Sequence, residues 1–242
     1  MPEELSVVIP VYNEGERLVP LVQAIRRELA LVALPFRIYV VYDFPEDVTY
    51  PFIRRLQEEQ DDVEPVLNDV SRGVLGALKK GFQRARGRAV AVVMGDGSDD
   101  VADLPLLWRK FQEGADVVCA SRYMRGGRQD GGPLLKNFLS RMAGLSLHLL
   151  AGLPTHDPTN NFKLYRTDLL RAVSLASHRG FEIALELTVK AHLMKKHVAE
   201  VPTIWRDRAA GQSNFHMLRW LPGYLRWYCL AFWGRLFGRS GA

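Results

Sequence analysis

Cysteine is nearly missing from this 242-residue chain: Cys119 and Cys229 are the only two. Both sit in apolar surroundings, and neither belongs to a CxxC or Cys/His cluster. A zinc site or disulfide framework is thereby excluded as the organising device, and a reducing cytosol suits the composition. No charge-free apolar run reaches the roughly 18–20 residues that a membrane helix needs. The nearest candidate, Met142 to His156, is too short and contains His148. Pro2 to Glu4 lacks the basic segment of a signal peptide, and the apolar run that follows is short, so no signal peptide is expected. Also missing are the glycine-rich GxGxxG of dinucleotide binding and the GxxxxGK[ST] phosphate loop. These absences argue against a Rossmann dehydrogenase and a P-loop ATPase. His178, His192, His197 and His216 show no metal-ligand spacing.

What the chain does have is apolar residue, 48% of the total, and a mild positive charge of +5 with pI near 9.3. The first fills a sizeable core. The second suits an anionic ligand such as a nucleotide, a lipid phosphate or a membrane surface, and is too mild to indicate nucleic acid.

Apolar strands alternate with amphipathic helices through the first half. Strands are expected at Leu5 to Pro10, Phe36 to Val41, Glu64 to Leu67, Ala89 to Met94 and Ala115 to Ala120. Helices are expected at Glu16 to Leu31, Pro51 to Gln60, Gly73 to Arg86 and Leu104 to Glu113. The pattern predicts an α/β fold with a mostly parallel sheet covered by helices on both faces. Beyond Ser121 the chain reads as a glycine-rich loop from Tyr123 to Pro133, then a long apolar helix from Lys136 to Leu153. A turn follows at Asp157 to Phe162, then helices at Asp168 to Leu175 and Ile183 to Lys196, and a strand at Val198 to Trp205. One domain, residues 1–214, is the economical reading. Residues 215–242 form a basic, aromatic tail in which Arg219, Arg226, Arg235 and Arg239 interleave with Trp220, Trp227, Trp233 and other rings. No acidic residue occurs from Ala209 onward. Such a segment suits a bilayer interface or a helix pair docked on the sheet or on a partner subunit.

The most informative stretch is Val93 to Asp100. An apolar run ends in Gly95 and then releases Asp96, Asp99 and Asp100 within five residues. Carboxylates crowded beyond a strand end repel one another unless a cation neutralises them, and Mg²⁺ or Mn²⁺ takes such oxygen ligands together with substrate phosphates. The plainer alternative is an acidic turn capping the next helix. The position beyond a buried strand, where α/β proteins bind ligands, favours a site. The loops after the first two strands, Pro10 to Glu14 and Tyr42 to Asp47, lie at the same edge. There an Asp can accept from a base N–H and a Tyr ring can pack on a base. For Asp43, a helix cap is an equal alternative.

Taken together, Val8-Ile-Pro-Val-Tyr-Asn-Glu14, the Asp43 loop, the acidic strand end at Asp96 and Ala120-Ser-Arg-Tyr123 resemble the family 2 glycosyltransferases of GT-A (nucleotide-diphospho-sugar transferase) fold. The second half narrows the likeness. Ser121 to Gly127, Ser140-Arg141, Gly152-Leu-Pro154, Asp157 to Lys163 and Glu200 to Ser213 resemble the dolichol-phosphate mannose synthases and bacterial polyprenyl-phosphate glycosyltransferases. The resemblance implies an inverting transferase with a nucleotide-sugar donor (GDP-mannose or a UDP-sugar), Mg²⁺ or Mn²⁺, and a polyprenyl-phosphate acceptor. The chain would act as a peripheral protein at the cytoplasmic membrane face.

By position, Pro10, Tyr12, Glu14 and Asp43 would hold the nucleotide. Asp96 would be the surviving metal aspartate, with Ser98 and Asp99 beside it. Arg122, Lys136 and Ser140 would meet the acceptor phosphate, and Arg208 the donor phosphates. The chain departs from the family pattern at Met94, where the first metal aspartate is expected, and at Ser98, Tyr42, Asn214 and the pair Asn160-Asn161. Asp99 or Asp100 is placed to supply the missing carboxylate.

An acceptor phosphate is already ionised near pH 7 and needs cations, whereas an acceptor hydroxyl needs a general base. Asp157 is the candidate for that base, with bracing its own turn as the alternative. Helix solvation is the plainer alternative for Lys136 and Arg141, and His148 reads as a packed, hydrogen-bonded histidine. Glu182 and Glu186 share a helix face, either steering the acceptor or facing solvent. A saccharide-hydroxyl acceptor and a catalytically silent nucleotide-sugar binder are the remaining alternatives.

Overall fold

A computed structural model of the chain describes residues 3–178, 180–207 and 217–236. Its centre is a seven-stranded sheet in the order β3-β2-β1-β4-β7-β5-β8. The strands are β1 (Leu5–Pro10), β2 (Phe36–Tyr42), β3 (Val63–Leu67), β4 (Ala89–Val92), β5 (Val117–Ser121), β7 (Lys163–Arg166) and β8 (Val198–Pro202). Neighbouring strands pair in parallel except at β7, which runs antiparallel to both β4 and β5. The mostly parallel sheet expected from the apolar runs is therefore present.

Alternation along the strands divides the core. Val7 and Ile9 of β1 point to a cluster with α1 (Leu18–Ala30), α2 (Tyr50–Glu59) and α4 (Leu104–Gln112). Val8 points the other way, to α3 (Val74–Arg84), α6 (Thr167–Ala172) and α7 (Ile183–Leu193). On α1 the buried residues are Leu18, Leu21, Val22, Ile25 and Leu29, the spacing of a single apolar stripe. Each such side chain contributes about 1.5–3 kcal/mol when fully buried.

The second half departs from the sequence expectation in three places. The stretch Val198 to Trp205 is two strands, since β9 (Ile204–Arg206) leaves the main sheet and pairs with β6 (Arg128–Asp130). Pro202, which has no N–H to give a ladder, ends β8. The glycine-rich loop thus contains a strand. β7 has no sequence signature, because its four residues include a charge at each end and lie between two turns.

A third apolar cluster joins α5 (Leu134–Ala151), α7 and α8 (Met217–Leu236) through Leu147, Ala151, Leu153, Leu185, Val189, Trp227 and Ala231. Within its described residues the basic aromatic segment is therefore a helix docked on α5 and α7. Trp227 is buried, whereas Trp233 is 63% exposed. Glu182 and Glu186 are both buried, so the solvent-facing reading of that pair is corrected. Glu186 accepts the backbone N–H groups of Ala176 and Ser177 and pairs with Lys190.

Candidate active site

The strand order turns back at β1: the chain runs outward to β3 and returns to β4 on the other side. The loops after β1 and β4 therefore diverge at the carboxyl edge of the sheet, where open α/β folds bind ligands. The two loops still pass close together. A Cβ on Gly95 would lie 2.8 Å from the Pro10 carbonyl oxygen, so only glycine fits.

On the β1/β2 side, Asp47 is buried. Its carboxylate accepts the N–H of Asn13 (3.1 Å) and of Thr49 (2.7 Å). The Thr49 hydroxyl accepts the N–H of Glu14 (2.9 Å) and of Gly15 (3.1 Å). This tie fixes the loop that presents Tyr12, which is 54% exposed and meets Phe44 edge to face at 5.7 Å. Two fixed rings at a crevice mouth suit a planar base. Asp43 accepts from the Asn68 side-chain amide (2.7 Å) and from the N–H of Gly73 (2.6 Å), the residue that caps α3. These bonds tie the end of β2 to the residue before α3, while neither α2 nor α3 takes a side-chain cap from Asp43. Asp47 has no local signal of this role, because its tie to Asn13 spans 34 residues.

In the acidic loop, Asp96 Oδ1 accepts both the N–H (3.0 Å) and the hydroxyl (2.7 Å) of Ser98. Asp99 is buried and turns inward to accept the N–H of Met94 (2.9 Å); burial pushes its carboxyl up to about 7. Asp100 caps the short turn that follows and pairs with Arg206 at 2.9 Å. The Arg206 N–H also donates to the Ser98 carbonyl (3.0 Å), so β9 lies along the acidic loop. Arg208, two residues on, lies outside the described residues.

Among the described residues no three His, Cys, Asp or Glu side chains gather closely enough to cage a metal ion. What is present is one carboxylate, Asp96, with the Ser98 hydroxyl beside it. That set fits Mg²⁺ or Mn²⁺ held by one carboxylate, water and the donor's own phosphates, which is how Mg²⁺ is usually bound at phosphate sites. Asp99, buried and engaged with the backbone N–H of Met94, is the weakest of the three candidate ligands.

On the β5 side, Arg122 is almost buried, with 10% of its side chain exposed, and forms a bidentate pair with the fully buried Asp157. Arg122 Nε donates to Oδ2 at 2.6 Å and Nη2 to Oδ1 at 2.9 Å, and the Arg122 N–H reaches Oδ2 at 3.1 Å. Thr159 Oγ1 (3.2 Å) and Asn160 N–H (3.3 Å) also donate to Asp157 Oδ1. Burial alone would raise the Asp157 carboxyl; the Arg122 guanidinium more than offsets this and holds it below the usual range. Asp157 is thus a brace.

Ser140, on α5, stands 3.4 Å from Arg122 Nη2 and 2.9 Å from the Thr159 hydroxyl. The structure therefore brings together two of the three residues assigned to the acceptor phosphate. The third, Lys136, stands one turn before Ser140 on α5, and its side chain lies outside the described ones. Lys163 is fully buried and donates to the Pro158 carbonyl at 2.5 Å, holding the Asp157 turn from below. Lys163 closes the Asp157 to Lys163 motif, but nothing in the neighbouring residues gives notice that its amine is buried.

The comparisons agree with this geometry. The family model described as Glycosyl transferase family 2 matches residues 6–174. The dolichol-phosphate mannosyltransferase of Pyrococcus furiosus is 29% identical over 93% of this chain, which spans 64% of that protein's length. The polyprenol monophosphomannose synthase of Mycolicibacterium smegmatis is 32% identical over 86% of this chain and 79% of its own. The undecaprenyl-phosphate mannosyltransferase of Micrococcus luteus is 30% identical over 97% and 98%. Among solved structures, glucosyl-3-phosphoglycerate synthase from Mycobacterium tuberculosis with Mn²⁺, UDP and phosphoglyceric acid superposes with a TM-score of 0.65. It is 18% identical, and the match covers 99% of this chain and 80% of that one. The same enzyme with Mg²⁺ and UDP gives a TM-score of 0.66 at 18% identity, over 99% and 81%. At that identity the likeness concerns the GT-A fold alone. With sheet order, loop placement and sequence profile all in agreement, the chain belongs to glycosyl transferase family 2.

Proposed function

We propose that this chain transfers a sugar from a nucleotide-diphosphate sugar to a polyprenyl phosphate, with inversion. The observation that carries the reading is the state of Asp157. It is the one carboxylate the sequence offers as a base for a hydroxyl acceptor, and its lone pairs are taken by Arg122, Thr159 and Asn160. An acceptor that arrives already ionised needs no base. It needs positive charge and hydroxyl donors, which Arg122, Lys136 and Ser140 supply.

Each part of the site has a role in that reaction. Tyr12 and Phe44 pack against the nucleobase. Pro10, Glu14 and Asp43 shape the nucleotide pocket. Asp96 with Ser98 holds a divalent cation, which when bound stabilises the charge of the departing diphosphate, while Asp99 braces the loop from within. Arg208 neutralises the same phosphates. The names of the three relatives, all mannosyltransferases or mannose synthases, favour mannose as the sugar and GDP-mannose over a UDP-sugar. The direct experiment offers one isoprenoid as its phosphate and as its free alcohol; transfer to the phosphate alone is expected.

The same reading makes the chain a peripheral protein at the cytoplasmic face of a membrane. Among the described residues no helix is long and apolar enough to cross one. Yet α5 exposes Leu134 (86%), Leu135, Phe138, Leu139, Met142, Leu149 and Leu150, and α8 beside it exposes Leu221, Leu225 and Trp233. Arg141, Arg226 and Arg235 are exposed on the same two helices. Apolar side chains rimmed by arginine suit a layer of anionic headgroups, so part of the docking surface first assigned to the tail belongs to α5. Replacing Leu134, Leu135 and Phe138 together by Ser is expected to reduce flotation with anionic liposomes several-fold. Stability should barely change, because exposed substitutions cost about 0.5 kcal/mol or less each. Unchanged flotation would remove α5 from the docking surface.

A further inference from the structure

Glu200, on β8 opposite Cys119 of β5, reaches across to the turn before Asp157. Its Oε2 accepts the Thr155 hydroxyl (3.0 Å) and the His156 N–H (2.8 Å), and its Oε1 accepts from His156 Nδ1 (2.6 Å). The Thr155 hydroxyl in turn accepts the Asp157 N–H at 3.1 Å. A continuous chain of hydrogen bonds thus runs from Glu200 through Thr155 to Asp157, and from Asp157 through two charge-assisted bonds to the Arg122 guanidinium. Hydrogen bonds linked in this way reinforce one another.

The same residue registers α5, which carries Ser140. The His156 ring, held by Glu200, stacks on the His148 ring of α5 at 3.9 Å with 29° between planes. His148 Nδ1 bonds the Leu153 carbonyl at 2.8 Å. A Cβ on Gly144 would lie 2.2 Å from the His156 carbonyl oxygen, so α5 sits directly against this turn. Arg122, Thr159 and Ser140 come from three separate segments, and Glu200 holds the turn directly and meets the helix through the His156 ring.

We propose that Glu200 is a positioning residue for the acceptor phosphate, acting through Thr155 and His156 on Asp157, Arg122 and α5. This rests on the phosphate-acceptor reading above. Small displacements of a charged clamp are costly: about 1 Å can lower the rate a hundredfold.

The test is steady-state kinetics on the full chain with a short isoprenyl phosphate and the donor varied separately, for Glu200→Ala, Glu200→Gln and Thr155→Val. Glu200→Ala is expected to raise the acceptor KM about tenfold or more while the donor KM stays within twofold. Thr155→Val, which cuts the link to Asp157 at constant shape, should do the same. Glu200→Gln keeps a carbonyl oxygen for Thr155 and His156 and should restore most of the loss. An acceptor KM within twofold of the parent, or equal rises for donor and acceptor, overturns the proposal. Should Glu200→Ala not fold, Thr155→Val and Glu200→Gln decide alone. The Arg122 Nε–H resonance gives a readout independent of the acceptor. Its loss in folded Thr155→Val supports the positioning role, and its persistence unchanged overturns it. If the parent protein glycosylates no isoprenyl phosphate, the acceptor reading falls and this resonance judges the positioning role by itself.

Discussion

Asp157→Asn is expected to lower the free energy of unfolding by about 3–5 kcal/mol and to remove sugar transfer whatever the acceptor. The cause is the charge left behind. Arg122 is almost buried and stays protonated at any workable pH. In the parent its guanidinium faces a carboxylate with two short, parallel bonds. An Asn presents an amide N–H₂ to one of those donors and no charge to either. Loss of one partner from a buried pair costs far more than loss of both, because the survivor stays desolvated. Arg122→Met combined with Asp157→Leu is therefore expected to be more stable than Asp157→Asn alone, while remaining inactive. Urea denaturation of the three variants checks this ordering, and an Asp157→Asn protein within about 1 kcal/mol of the parent would contradict it.

The same pair sets an acid limit with a definite sign. The Asp157 carboxyl is held below its ordinary value in the fold. Its contribution is complete above the unfolded value of about 3.9 and is lost as pH falls through the lower folded value. Asp157→Asn is thus a poor way to tell a hydroxyl acceptor from a phosphate acceptor, since it breaks the site that holds either one.

Asp96→Asn should leave the fold intact and lower turnover about 100- to 1,000-fold. An amide oxygen still accepts the N–H and hydroxyl of Ser98, so the loop keeps its shape. The negative charge that would hold a divalent cation against the donor diphosphate is gone. Because Met94 stands where a second carboxylate is expected and Asp99 is turned inward to the Met94 N–H, little else in the loop can replace it. Turnover with Mg²⁺ and with Mn²⁺, beside donor binding, checks the point. Activity within threefold of the parent would show that Asp96 does not hold the metal.

How far the sequence could lead depended on the range of each interaction. The strands β1, β2 and β4 and the stripe on α1 are legible because apolar spacing is local. So is the acidic loop after β4, since its three aspartates are neighbours in the chain. The antiparallel β7 is not, because a four-residue strand takes its direction from the strands it fits between. The division of Val198 to Trp205 between two sheets was hidden for the same reason.

At the site, Asp96, Arg122 and Ser140 were named from motifs, and what each one touches was not. Asp157 holds Arg122 from 35 positions away and Glu200 holds His156 from 44. The choice between base and brace for Asp157 depends entirely on that distant partner. Glu182 and Glu186 carry the same lesson. A shared helix face can be read from their spacing, but whether it meets solvent or the core depends on what packs there: the Ala176–Ser177 backbone on Glu186 and Gly223 of α8 beside Glu182.

The central claim is that the acceptor attacks through its own ionised phosphate. It is tested most directly by incubating the protein with one nucleotide-sugar at a time and a matched pair of acceptors, a short isoprenyl phosphate and the corresponding alcohol. The lipid products are read by mass, with Mg²⁺ present and then chelated. The predicted result is a sugar–phosphate–lipid from the phosphate alone, absent after chelation. Transfer to the alcohol at a comparable rate, or donor binding with no product from either acceptor, would contradict the account.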